Sequence, residues 1–97
     1  MLQLRLSIVH GPETGKSYLL GETTRLGRAL DNDIHIPDTQ TSRYHAIIEH
    51  RENGYVIRDL DSTNGTFVNG KRVDREMELH IGDAITVGKT RFIVLVR

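Results

Sequence analysis

A period of two constrains this chain more than any other feature. In Leu2-Gln3-Leu4-Arg5-Leu6-Ser7-Ile8 apolar and polar residues alternate without a break. Successive side chains of a strand point to opposite faces, so the run reads as a strand with one buried face. Shorter runs of strand character follow at 17–20, 24–26, 34–36, 46–49, 55–58, 67–68 and 84–87. The run Phe92-Ile93-Val94-Leu95-Val96 is apolar throughout, which predicts a central strand buried on both faces. Turn formers separate the runs: Gly11-Pro12, Gly21, Asp31-Asn32-Asp33, Asn53-Gly54, Asn64-Gly65, Asn69-Gly70, Gly82-Asp83 and Gly88. Each of the three Asn-Gly pairs is expected to turn a hairpin, because both residues tolerate the positive φ of a type I′ turn. Many short strands at this spacing predict an all-β sandwich or barrel. A helix-like patch at 73–79 is too short to count as a helix.

Composition narrows the function classes. Ninety-seven residues leave room for one domain, expected to span 1–97. Thirteen Lys and Arg against thirteen Asp and Glu give zero formal net charge. No whole-chain field then draws the protein to nucleic acid or to an anionic membrane, and a charged ligand has to be caught locally. The absence of cysteine excludes disulfide scaffolds, thiol catalysis and cysteine-bound metal. No apolar run reaches the roughly 18 residues that a membrane span needs, and the N-terminus alternates where a signal peptide would be continuously apolar. The expected location is the cytoplasm.

Several catalytic and cofactor motifs fail on inspection. Gly11-Pro12-Glu13-Thr14-Gly15-Lys16-Ser17 resembles a P-loop, but His10 stands where the first glycine is needed, and a strand follows where the motif needs a helix. An EF-hand begun at Asp59 puts Asn64 at the glycine position and Gly70 at the glutamate position. The five histidines have no recognisable ligand spacing, so no metal or other cofactor is expected. Asn64-Gly65-Thr66 fits a glycosylation signal without a secretion context. Ser42 and His45 lack an orienting third group, and no catalytic residue is assigned.

Five features remain that a plain sandwich does not explain. They are Leu26-Gly27-Arg28, Asn32-Asp33-Ile34, Ser42-Arg43-Tyr44-His45-Ala46, the run from Asp59 through Ser62-Thr63-Asn64-Gly65 to Gly70, and Gly82-Asp83. In this order and spacing they resemble the forkhead-associated (FHA) domain, a phosphothreonine-binding module. The resemblance implies an eleven-stranded, antiparallel-type β-sandwich of the FHA/SMAD kind, without enzymatic activity, whose loops at one end hold a phosphopeptide in Ser/Thr-kinase signalling. It implies that Arg28 and Ser42 bind phosphate oxygens with Arg43 assisting. Asn64 would bond the peptide backbone, supported by Thr63, while His45 would brace the Ser42 loop and Gly27 and Gly65 would be architectural. The implied partner is a phosphothreonine-containing protein, a kinase or its substrate. Threonine would be preferred to serine because the family packs the extra methyl.

The residue chemistry agrees with that implication. Phosphothreonine brings about −1.5 to −2 charges and three acceptor oxygens. Arginine meets them with a planar fork of donors and a permanent charge, and a hydroxyl or a loop amide fills the remaining lone pairs. A plainer alternative is that each arginine is a surface ion-pair partner of Asp31, Asp33, Asp38, Asp59 or Asp61. Another is a phosphate-independent interaction domain using the same loops or the sandwich face. Asp61 and Thr41 depart from the family's usual residues, and the acidic loops suggest tolerance of basic residues in the ligand. Some small relatives carry an N-terminal tail that folds back into the site; strand alternation here starts at Leu2, so no such tail is expected.

Overall fold

The computed structural model describes residues 3–97; Leu2, the first residue of the predicted alternation, lies outside them. Strand β1 (Leu4–His10) buries Leu4, Leu6 and Ile8 and turns Arg5 and Ser7 outward. Ten further strands follow: β2 (Ser17–Leu19), β3 (Thr23–Gly27), β4 (Ile34–His35), β5 (Ala46–Arg51), β6 (Gly54–Asp59), β7 (Thr66–Val68), β8 (Lys71–Arg72), β9 (Glu76–Leu79), β10 (Ala84–Val87) and β11 (Thr90–Val96). They form a six-stranded sheet in the order β2-β1-β11-β10-β7-β8 and a five-stranded sheet in the order β4-β3-β5-β6-β9. Pairing is antiparallel except between β3 and β4, where Leu26 aligns in parallel with Ile34. Among the described residues there is no helix, and the eleven-stranded sandwich is the predicted architecture.

The core lies between the two sheets. Leu4, Leu6, Ile8, Val68, Ile85, Val87, Phe92 and Val94 come from one layer, and Leu26, Ala46, Ile48, Tyr55, Ile57 and Leu79 from the other. Removing each large side chain of this set from water contributes about 1.5–3 kcal/mol. Leu20, Ile36 and Val73, on the connections, close the open ends of the cluster.

Two expectations need correction, and strand β9 has no counterpart among the runs of strand character. β11 is central, between β1 and β10, and it buries Phe92 and Val94, but Leu95 is 39% and Val96 46% exposed. A two-layer sandwich has no third layer to cover its outer faces, so a wholly apolar strand still has a wet side. Ile93 and Leu95 face outward beside Ser7 and Arg5 of β1. The patch at 73–79 contains strand β9, in which Tyr55 aligns with Leu79 and Ile57 with Met77. Glu, Met and Leu are strong helix formers, yet pairing along β6 overrides that preference.

The Asn-Gly pairs also divide. Asn69-Gly70 makes the type I′ hairpin turn between β7 and β8, with φ of 53° and 81° and Val68 opposite Lys71. At the β5–β6 hairpin the turn residues are Glu52 and Asn53; Gly54 already pairs with Arg51. Asn64-Gly65 turns no hairpin, because β6 and β7 belong to different sheets and this segment crosses between the layers. Segment 11–16 is a turn leading to β2, closed by bonds of Ile8 N to Lys16 O (2.8 Å) and Gly15 N to Ile8 O (2.9 Å).

Candidate functional site

The strand register brings three loops together. Leu26 pairs with Ala46, and Ala46 with Asp59. The end of β3, the start of β5 and the end of β6 therefore lie side by side, and segments 28–33, 36–45 and 60–65 leave the sandwich at one end. The first two segments are laced by backbone bonds from Arg28 N to Ser42 O (3.0 Å) and from Ala29 N to Arg43 O (3.1 Å). Asn32 Nδ2 adds bonds to the carbonyls of Ala29 and Arg43, both 2.8 Å. Gly27 is required at this crossing: a Cβ there would lie 2.2 Å from the Arg43 carbonyl oxygen.

Arg28 is exposed and donates through Nε to the Thr41 carbonyl at 3.1 Å. Its two terminal nitrogens make no hydrogen bond within the described residues. Arg43 is also exposed; its carbonyl is structural and its guanidinium makes no ion pair among the described residues. Four of the five nearby carboxylates are otherwise engaged. Asp31 accepts from the Tyr44 hydroxyl and Asp33 from Arg25 N. Asp38 accepts from Gln40 N, Lys89 N and Thr90 Oγ1. Asp59 is bonded to Ser62 and Thr66. The simple ion-pair alternative for Arg28 and Arg43 is therefore not what the structure contains.

Ser42 Oγ accepts a bond from Thr63 N–H at 3.0 Å, so its own proton remains available to a second group. Ser42 N–H donates to His45 Nδ1 at 3.0 Å, and His45 Nε2 lies 2.9 Å from the Gly65 carbonyl oxygen. A carbonyl only accepts, so Nε2 carries the proton and Nδ1 the lone pair. With the ring 0% exposed, His45 ties the Ser42 loop to the Asn64-Gly65 segment from the inside. Asn64 is exposed, and its Nδ2 donates to the Gln40 carbonyl at 2.9 Å, leaving Oδ1 free to accept. Gly65 has φ of 88° and lies beneath the Arg72 guanidinium.

The third loop has its own anchor. Asp59 accepts from Ser62 Oγ (2.6 Å), Thr66 Oγ1 (2.6 Å) and Ser62 N (3.0 Å). Burial opposes its ionisation, but the bonds from Ser62 and Thr66 outweigh that and hold its carboxyl below the ordinary range. Ser62 Oγ in turn accepts from Gly65 N at 3.0 Å. Asp61 sits at φ 54°, a left-handed conformation that Asp tolerates better than most residues. It lines a groove of about 440 Å³ with Asp59, Ser62, Arg72, Val73 and Asp74. Arg72 makes that groove mixed in charge and not simply acidic.

All eight residues singled out from the sequence, Gly27, Arg28, Ser42, Arg43, His45, Thr63, Asn64 and Gly65, lie in or beside these three segments. Sequence reasoning gave no supporting role to Asp38, Gln40 or Ser62. Asp38 followed by a bond to Gln40 N is a local Asx-type turn that could have been read. Its bonds to residues 51 and 52 positions away leave no local signature.

Residues 24–88 match the FHA domain family. The oxoglutarate dehydrogenase inhibitor of Corynebacterium jeikeium is 42% identical over 93 residues, which cover 93% of this chain and 62% of that protein. The chain thus spans less than two thirds of this relative's length. Mycobacterium tuberculosis EmbR, solved in complex with a low affinity phosphopeptide, superposes with a TM-score of 0.89 at 33% identity, covering 99% of this chain and 25% of that one. A structure from a study of phosphothreonine-dependent FHA domain interactions gives a TM-score of 0.88 at 34% identity, covering 98% and 97%.

Proposed function

Because this chain belongs to the FHA domain family, whose members are non-enzymatic binding modules, we propose that its loop end binds phosphothreonine in a partner protein and so recruits that partner after a Ser/Thr kinase has acted. Residues 1–97 act as one such domain, in the cytoplasm, with no cofactor. Arg28 and Ser42 take the phosphate oxygens with Arg43 assisting. Thr63 and Asn64 hold the peptide backbone, and Gly27, His45 and Gly65 keep the loops in place.

The observation that carries this reading is the state of Arg28. Its guanidinium is aimed by one bond to a backbone carbonyl and has no carboxylate partner among the described residues. Its backbone N–H bonds the Ser42 carbonyl, and the Ser42 hydroxyl keeps an uncommitted proton. The unpaired N–H groups of two guanidinium nitrogens and an O–H suit a tetrahedral dianion. The phosphate-bearing parallel is EmbR, whose superposable structure holds a phosphopeptide.

One peptide pair, with and without phosphate on threonine, tests the proposal by fluorescence anisotropy. Phosphate-dependent binding is expected. Equal binding of both peptides would replace the proposal with a phosphate-independent interaction through the same loops.

A further inference from the structure

Asp38 lies between β4 and β5 and is 6% exposed. A carboxylate this deep in a loop needs donors, and it has three. Oδ1 accepts from Gln40 N at 2.9 Å, and Oδ2 accepts from Lys89 N at 3.1 Å and from Thr90 Oγ1 at 2.9 Å. Its own carbonyl accepts from Thr41 N at 3.2 Å. Lys89 lies in the β10–β11 turn and Thr90 is the first residue of β11, in the other sheet. Gly88 backs the contact at φ 59°: a Cβ there would lie 2.4 Å from Thr41 Oγ1 and 2.5 Å from Asp38 Oδ1. Asp38 therefore fastens one loop of the five-stranded sheet to the six-stranded sheet.

The segment it fastens is where the ligand groups converge. Gln40 O receives Asn64 Nδ2, Thr41 O receives Arg28 Nε, and Ser42 Oγ receives Thr63 N. Three consecutive residues hold or constitute three of the proposed ligand groups, and Asp38 touches none of those groups directly. We infer that Asp38 is the positioning residue of the site: by anchoring 40–42 to the β10–β11 turn it sets the relative placement of Arg28, Ser42 and Asn64. The inference rests on the reading of those three as phosphothreonine-binding. Charged acceptors strengthen each bond, and an amide in place of the carboxylate would set an N–H₂ group against at least one of the three donors.

The test uses Asp38→Asn and Thr90→Val, with the core variant Ile57→Val as a stability control. The probe is a phosphothreonine peptide selected by the wild type from a degenerate library, with affinities measured well below each variant's melting temperature. The Arg28 Nε–H resonance is followed in parallel without ligand. Asp38→Asn is expected to weaken binding roughly tenfold and to move the Arg28 Nε–H signal. Thr90→Val, which removes one donor, should weaken binding by about two- to fourfold, and Ile57→Val should lower the melting temperature without changing affinity.

A folded Asp38→Asn variant that binds within twofold of the wild type, with the Arg28 signal in place, would overturn the inference. If Asp38→Asn does not fold, unchanged binding by Thr90→Val overturns it instead. Failure of the wild type to bind any phosphothreonine peptide would bring down the parent reading and this one together, which separates the two failures.

Discussion

Arg28 and Arg51 are the same side chain in opposite circumstances. On the outer face of the five-stranded sheet Arg51 bonds Glu76 and Glu49 at 2.8–3.1 Å, and Arg58 stands 3.6 Å from Glu49. The bonds from Arg51 lower the Glu76 carboxyl below its ordinary range, and those from Glu76 and Glu49 hold the Arg51 guanidinium charged. At the loop end Arg28 is bonded only to a carbonyl, while four of the five acidic residues nearby are engaged with hydroxyls and backbone amides. Exposed pairs such as those of Arg51 satisfy one another and contribute little. A cation whose carboxylate neighbours are occupied remains available to an anion from outside. Composition is balanced across the chain, and what separates a surface network from a binding site is which acceptors are already taken.

The contrast can be broken most severely at Gly27. Gly27→Ala forces a Cβ to within 2.2 Å of the Arg43 carbonyl, and the loops must part. The expected loss is about 3 kcal/mol of stability, the upper end for overpacking, seen in chemical denaturation together with loss of phosphopeptide binding.

Arg28→Ala sharpens the contrast directly. Removing a charge-assisted contact worth roughly 1.5–3 kcal/mol should weaken phosphothreonine-peptide binding about ten- to a hundredfold with stability nearly unchanged. Equal titration curves for Arg28→Ala and wild type would disprove the site assignment.

Acid should distinguish the regions as well. The Asp59 carboxyl is held below its ordinary value of 3.8 in the fold. Its contribution to stability is therefore complete above that value and is lost as pH falls through the lowered one. Asp59→Asn should flatten the acid limb of a stability-against-pH curve, and an unchanged limb would show that other carboxylates control it. The smallest effect belongs to Arg51→Ala: a slight fall in melting temperature that shrinks further in high salt, and unchanged peptide affinity.

Legibility in the sequence varied with the range of the interaction. Alternation in β1 was readable because one buried face is a local pattern. Asn69-Gly70 was readable because its turn lies inside a hairpin. The same dipeptide at 64–65 was misread, since its backbone chemistry does not say which sheet the next strand will join. Hydropathy predicts double burial for the apolar run 92–96 because it cannot report that the outer face lacks a cover. β9 was hidden by residues whose local preference is helical. In the site, the recognition motifs were legible as residue types at fixed spacing, whereas Asp38 was not, because Lys89 and Thr90 reach it only through the fold.

By itself the sequence determined the all-β class, the zero net charge that leaves no long-range pull on polyanions, and the family, since these depend on residue identity, order and local backbone preference. Only the tertiary structure decided that Arg28 is free of carboxylate partners among the described residues and aimed by Thr41. It also decided that His45 carries its proton on Nε2 and that Asp38 ties the two sheets together at the site. The physical reason is that hydrogen-bond partnership is assigned by proximity, and Asp38 meets its partner Thr90 across 52 positions of the chain.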